Sequence, residues 1–147
     1  MLVTHQSRFR ISATQRELPS VTANVEAFCV AHNIPSATSN LVNLALDEVL
    51  SNIIKYAYDA SKAGPIDVAL AYSDGRFTVT VEDAGRPFDP LKFKRSLNTG
   101  PLNSRRPGGL GILFVKRLMD SAIYERSDGR NRLTLVAKVT LPQVAKE

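Results

Sequence analysis

The chain has 147 residues, 44% of them hydrophobic and 22% charged, the balance of a folded domain rather than of a disordered segment. That length buries a full core without a disulfide or structural metal, and the single cysteine, Cys29, excludes an internal bridge. No apolar run reaches the length of a membrane span and MLVTHQSRFR lacks a signal peptide's apolar segment, so a cytoplasmic protein of one domain over residues 1–147 is expected.

A net charge of +5 favours phosphates and acidic proteins as partners. The basic clusters Lys92, Lys94, Arg95 and Arg105, Arg106 are interleaved only with Phe93, which argues for phosphate or protein contacts and against a nucleic-acid interface.

From Ser7 to Ala13, the residues Phe9, Ile11 and Ala13 alternate with Arg8, Arg10 and Ser12, which predicts a strand with one solvated face. Leu18, Val21, Val25, Phe28 and Cys29 then recur at helical spacing. Thr14 with Glu17 resembles a capping box while Pro19 suits a first turn, and the start is placed near Pro19. Asn33-Ile34-Pro35 stops this helix, and Ser36 is the expected N-cap of a longer one running to about Tyr58. Its buried stripe is Val42, Leu46, Val49, Leu50, Ile53 and Ala57. Alternation over 66–72 and 77–81, with Asp74-Gly75 between them, predicts a hairpin.

The second hairpin strand ends in Glu82-Asp83-Ala84-Gly85-Arg86-Pro87. No period persists between Arg86 and Pro107, and a loop of that length suits a lid over a site, about 86–107. Gly108-Gly109-Leu110-Gly111 opens an apolar helix, ILFVKRLMD. A short strand around Ala122 to Glu125, a turn at Ser127 to Arg130 and a last strand follow, the last with Leu133, Leu135 and Ala137 alternating against Arg132, Thr134 and Val136. Strand-helix-strand crossovers are too few for a doubly wound parallel sheet. The expected class is α+β, a two-layer sandwich with three helices on one face of a mixed, mostly antiparallel sheet.

Three features carry chemistry. Glu48 and Asn52 stand one helical turn apart, and a carboxylate and an amide held rigidly there can manage a hydroxyl proton and a hard cation such as Mg²⁺; two solvated polar positions fit the same spacing. Asp83 at a strand end can accept the exocyclic amine hydrogen of adenine while Gly85 lets the base approach; an ordinary turn fits the same residues. The turn from Gly108 to Gly111 leaves backbone N–H groups for phosphate oxygens, or else permits close helix packing. It is neither a Walker A loop nor a dinucleotide fingerprint. Their occurrence together, in this order and with a long loop between the last two, points to a nucleotide. Arg105 or Arg106 can then close over its terminal phosphate.

LDEVLSNIIKYAY, EDAGRPFDP and RRPGGLGILFVKRLMD resemble the three motifs of the GHKL ATPases, which share the Bergerat fold, and within them the bacterial anti-sigma-factor serine/threonine kinases. The resemblance covers nearly the whole chain, to the NRLTL of the last strand. It implies ATP and Mg²⁺ as cofactors, with Glu48 as general base, Asn52 on Mg²⁺, and Asp83 and Gly85 at adenine. Gly108, Gly109, Leu110 and Gly111 would line the phosphates, and Thr134 would support the adenine end. The implied activity is phosphorylation of a Ser or Thr of an anti-sigma-factor antagonist; a sigma factor as second partner and a homodimer are also in keeping with it. The chain departs from many relatives at Tyr56, where they carry His and where a phenol cannot reproduce an imidazole's protonation. A nucleotide-gated binding module without transfer is the alternative. A detached histidine-kinase catalytic domain is weaker, because His5 and His32 fall at a strand start and a helix end.

Overall fold

Inward-facing positions along the three central strands of the sheet are almost all apolar, and this decides how the layers stack in the computed structural model, which describes residues 3–59, 62–92 and 115–139. The strands are β1 (His5–Ser12), β2 (Pro65–Ser73), β3 (Arg76–Asp83), β4 (Ser121–Ser127) and β5 (Arg130–Lys138). They form one sheet in the order β1-β2-β3-β5-β4, and every pairing is antiparallel. The sheet is therefore antiparallel throughout the described residues rather than mixed. Both Asp-Gly turns behave as hairpin chemistry requires: Asp74 and Gly75 lie at φ 52° and 71°, and Asp128 and Gly129 at 52° and 74°.

The helices α1 (Leu18–Ala31) and α2 (Ser36–Tyr56) cover one face, and residues 115–118 form a further helical turn. Val21, Val25 and Phe28 of α1 and the predicted stripe of α2 bury against Ile66, Val68, Phe77, Val79, Leu133 and Leu135 of the sheet. Phe28 stacks on Phe77 with ring centroids 5.6 Å apart. Cys29 sits in this core, where burial pushes its thiol up to about 11, so it packs as a small apolar group. His5 stacks on His32 at 4.2 Å, tying the start of β1 to the end of α1.

The first helix starts where expected, with Pro19 in the first turn of α1; Thr14 precedes a 3-10 turn at Gln15–Glu17, but its hydroxyl is buried with no partner among the described residues and no capping box forms. The start of α2 differs from expectation. Pro35, not Ser36, holds the N-cap position of α2, because its fixed extended backbone already delivers the chain into the helix. No described helix is long and apolar enough to cross a membrane. The opposite face of the sheet is open and charged, with a shallow groove of about 730 Å³ between Arg8, Arg10, Thr80, Glu82, Arg132 and Thr134.

Candidate functional site

In β3 the inward positions run Phe77, Val79, Val81 and then Asp83, so a carboxylate stands where the pattern calls for a core hydrophobe. Asp83 is 1% exposed. A buried carboxylate is tolerated only when it is hydrogen-bonded, and two donors meet it, both on Oδ1: the Gly85 N–H at 2.9 Å and Asn131 Nδ2 at 2.8 Å. Burial raises its pKa above the ordinary carboxylate value, while these two hydrogen bonds and the charges of Arg126 and Arg130 pull the other way. Among the described residues Oδ2 receives no hydrogen bond.

The loop after Asp83 is fastened to the end of α2. Arg86 donates its N–H to the Ala57 carbonyl at 2.9 Å, and Gly85 lies so close that a Cβ there would fall 2.3 Å from the same oxygen. Glycine at 85 is thus a packing requirement as well as an opening for a ligand. Tyr58 adds a second tie: its hydroxyl accepts the Ala84 N–H at 2.9 Å and donates to the Pro65 carbonyl at 2.7 Å. Phe88 packs on Tyr56 with centroids 5.6 Å apart. Tyr56, expected from the resemblance to depart from a His, therefore holds an aromatic contact between α2 and this loop.

On α2, Glu48 is half-buried and Asn52, one turn on, is 5% exposed. The Asn52 Nδ2 atom is buried and has no hydrogen-bond partner among the described residues. A buried amide with an unmet donor costs stability unless a ligand completes it. It suits a polyphosphate with its cation, since the nitrogen can donate to a phosphate oxygen and the oxygen can face the metal. Among the described residues no group of three His, Cys, Asp or Glu could cage a metal ion.

Glu48, Asn52, Asp83 and Gly85 are thus brought to one side of the sheet, joined through the end of α2. Thr134 is not with them. It alternates out of β5 onto the open face, opposite Thr80, and lines the groove there, so its expected place beside adenine is corrected by the period of the strand. The β5 residue that reaches Asp83 is Asn131, its direct cross-strand partner. Motif spacing does not pick out Asn131, Tyr124 or Arg126, although an Asn in the inward register of Leu133 and Leu135 is itself a signal of a buried polar contact. Arg105, Arg106, Gly108, Gly109, Leu110 and Gly111, and most of the expected lid, lie outside the described residues.

Residues 11–137 match the family described as the histidine kinase-like ATPase domain, a span that holds every described site residue. The chain is 28% identical over 96 residues to the serine/threonine-protein kinase BtrW of Bordetella bronchiseptica, covering 65% of this chain and 68% of that protein. It is 29% identical to the serine-protein kinase RsbW of Halalkalibacterium halodurans, covering 60% and 56%, and 31% identical to RsbW of Staphylococcus epidermidis, covering 58% and 57%. The match thus spans little more than half of these two relatives. Among solved structures, the RsbU and RsbW domains of a Mycobacterium tuberculosis protein superpose with a TM-score of 0.68 at 18% identity, over 94% of this chain and 33% of that one. The SiaB-SiaC complex of Pseudomonas aeruginosa gives 0.56 at 19% identity, over 90% and 89%. With a buried Asp-x-Gly loop locked to the helix that carries Glu48 and Asn52, and a family match over most of its length, the chain belongs to the histidine kinase-like ATPases.

Proposed function

We propose that this chain is an ATP-dependent serine/threonine protein kinase of the anti-sigma type, acting in the cytoplasm on a small anti-sigma-factor antagonist, with a sigma factor as a second protein partner. The observation that carries the reading is the join at Gly85, which makes the Asp83 loop and the end of α2 one rigid unit. Asp83 would take the exocyclic amine of adenine, and Asn52, on the same unit, would hold the phosphates and Mg²⁺. Held there, Mg²⁺ would supply neutralisation of the phosphate charge. Similarity to three serine or serine/threonine kinases supports protein as the acceptor.

In the reaction, the acceptor hydroxyl oxygen forms a bond to the γ-phosphorus, the bond from that phosphorus to the β,γ-bridging oxygen breaks, and ADP leaves. Glu48 orients the hydroxyl and takes its proton. The chain contributes mainly position and electrostatics, since phosphoryl transfer asks for little covalent chemistry from the protein.

Titration of Mg-ATP against wild type and Asp83→Asn, paired with transfer of labelled γ-phosphate to candidate antagonists, tests the reading. Wild type is expected to bind and to label a Ser or Thr, and Asp83→Asn to bind about 10–100-fold more weakly, the worth of a hydrogen bond to a charged group. Absence of ATP binding by wild type overturns the reading. Binding without label on any antagonist replaces it with a nucleotide-gated binding module.

A further inference from the structure

Asn131 is 3% exposed and its amide is committed on every side. Nδ2 donates to Asp83 Oδ1 at 2.8 Å and to the Arg86 carbonyl at 2.8 Å. Oδ1 accepts from the Tyr124 hydroxyl at 2.5 Å, from Arg126 at 3.1 Å and from the Phe88 N–H at 3.3 Å. Arg126 donates in addition to the Gly85 carbonyl at 2.8 Å. Two acceptors on one end of the amide and three donors on the other permit a single orientation. A flipped amide would set its oxygen against a carboxylate and a carbonyl. Asn131 therefore offers Asp83 a donor and never an acceptor.

We propose that Asn131, held in this orientation by Tyr124 and Arg126, is a positioning residue that sets the base selectivity of the nucleotide site. By filling Asp83 Oδ1 with a donor it keeps the carboxylate an acceptor and leaves Oδ2 for the exocyclic amine of a 6-aminopurine, so that 6-oxopurine nucleotides are refused. The inference rests on the ATP reading above. A protonated carboxyl group could donate, and would welcome an oxo group in the place of the amine. Burial favours that protonated form, and Asn131, the Gly85 N–H, Arg126 of β4 and Arg130 of β5 oppose it. Tyr58, beyond α2, and Tyr124 of β4 are the other titratable groups that feel the Asp83 charge.

The test is titration of ATP and inosine triphosphate against wild type, Asn131→Asp and Arg126→Gln from pH 5.5 to 8.5, with thermal melts to establish that each variant folds. Wild type is expected to prefer ATP by about 100-fold or more across the range, as sites built around a buried hydrogen bond reject analogues that lack it. In Asn131→Asp two adjacent carboxylates share one proton, so the ratio should fall to within about tenfold at low pH and recover as that proton is lost. Arg126→Gln should lower the ratio less and in the same pH sense. Equal losses of affinity for both nucleotides at every pH, in both variants, make Asn131 a purely structural residue and overturn the inference. If Asn131→Asp does not fold, an unchanged ratio in Arg126→Gln overturns it. Failure of wild type to bind either nucleotide overturns the ATP reading instead, and is recognised before any variant is compared.

Discussion

Asp83 and Asn52 are both polar groups taken out of water, and the chain treats them in opposite ways. Around Asp83 every neighbour is recruited: Asn131 and the Gly85 N–H on one oxygen, with Tyr124, Arg126 and the Phe88 N–H behind Asn131. The Asn52 amide nitrogen is buried with nothing among the described residues to receive its hydrogens. The base end is pre-organised by the protein itself, so its ligand meets a fixed acceptor at little conformational cost. The α2 end carries an unmet demand that, on the proposed reading, a phosphate with its cation would relieve. Rigid recognition at one end and unspent hydrogen bonding at the other suit a site that holds a nucleotide firmly by its base and reacts at its phosphates.

The largest effect is expected at the reacting end. Glu48→Gln should lower phosphate transfer about 10²–10⁴-fold, the usual worth of general base catalysis, with ATP affinity unchanged. Single-turnover transfer of labelled phosphate beside an ATP titration measures both, and undiminished transfer removes Glu48 from the role of base. Next comes the join between the two regions. In Gly85→Ala the new Cβ meets the Ala57 carbonyl at 2.3 Å, so the loop must part from α2, at about 1–3 kcal/mol of stability. ATP binding should be lost with it. A variant that keeps wild-type melting temperature and affinity would show that the two ends do not depend on this contact.

Much of this arrangement was legible in the sequence, and the exceptions share a cause. The α2 stripe and the helix-facing side of β1, β2, β3 and β5 follow from period, because one face of each element must be dry, and the two Asp-Gly hairpins follow from turn chemistry. Asp83 could be read because an acid two residues before a glycine at a strand end stands in order with the Glu48–Asn52 pair and the Gly108 to Gly111 turn. Asn131 could not be read the same way. Its meaning depends on standing opposite Asp83 in β5, a pairing that joins residues far apart in sequence and depends on strand order. Thr134 misleads for the same reason, since a hydroxyl near the right strand end faces the wrong side once the register is set. The N-cap of α2 at Pro35 rather than Ser36 is a smaller case, in which a fixed backbone angle takes the place of a side-chain cap.

Asn52→Leu sharpens the comparison from the other direction. Replacing a buried amide whose donor is unmet should leave the ligand-free protein as stable as wild type or up to about 1–3 kcal/mol more stable, while abolishing the rise in melting temperature expected of wild type with Mg-ATP. Melts with and without Mg-ATP separate the two effects. A destabilised ligand-free variant would mean that the amide already serves the fold.

The smallest effect compares the two faces of the sheet at its Asp83 end. Asp67, on the open face of β2, lies between Arg10 at 2.7 Å and Arg130 at 3.0 Å, and these hydrogen bonds and charges hold its pKa below the ordinary value of 3.8. Asp83, across the sheet, is pushed above that value by burial. The linkage signs are opposite. The contribution of Asp67 to stability is present above its unfolded pKa and lost as pH falls through its lower folded value. That of Asp83 is present below its unfolded pKa and lost as pH rises through its higher folded value. Asp67→Asn should therefore cost stability at neutral pH, no more than about 1 kcal/mol for so exposed a pair, and the cost should vanish in acid. Asp83→Asn should gain stability at neutral pH while it weakens ATP binding, the mark of a carboxylate kept for its ligand. Urea unfolding of both variants between pH 3 and pH 7 reads the two signs directly; the same sign for both would mean that the carboxylate at the base end is held for the fold and not for the nucleotide.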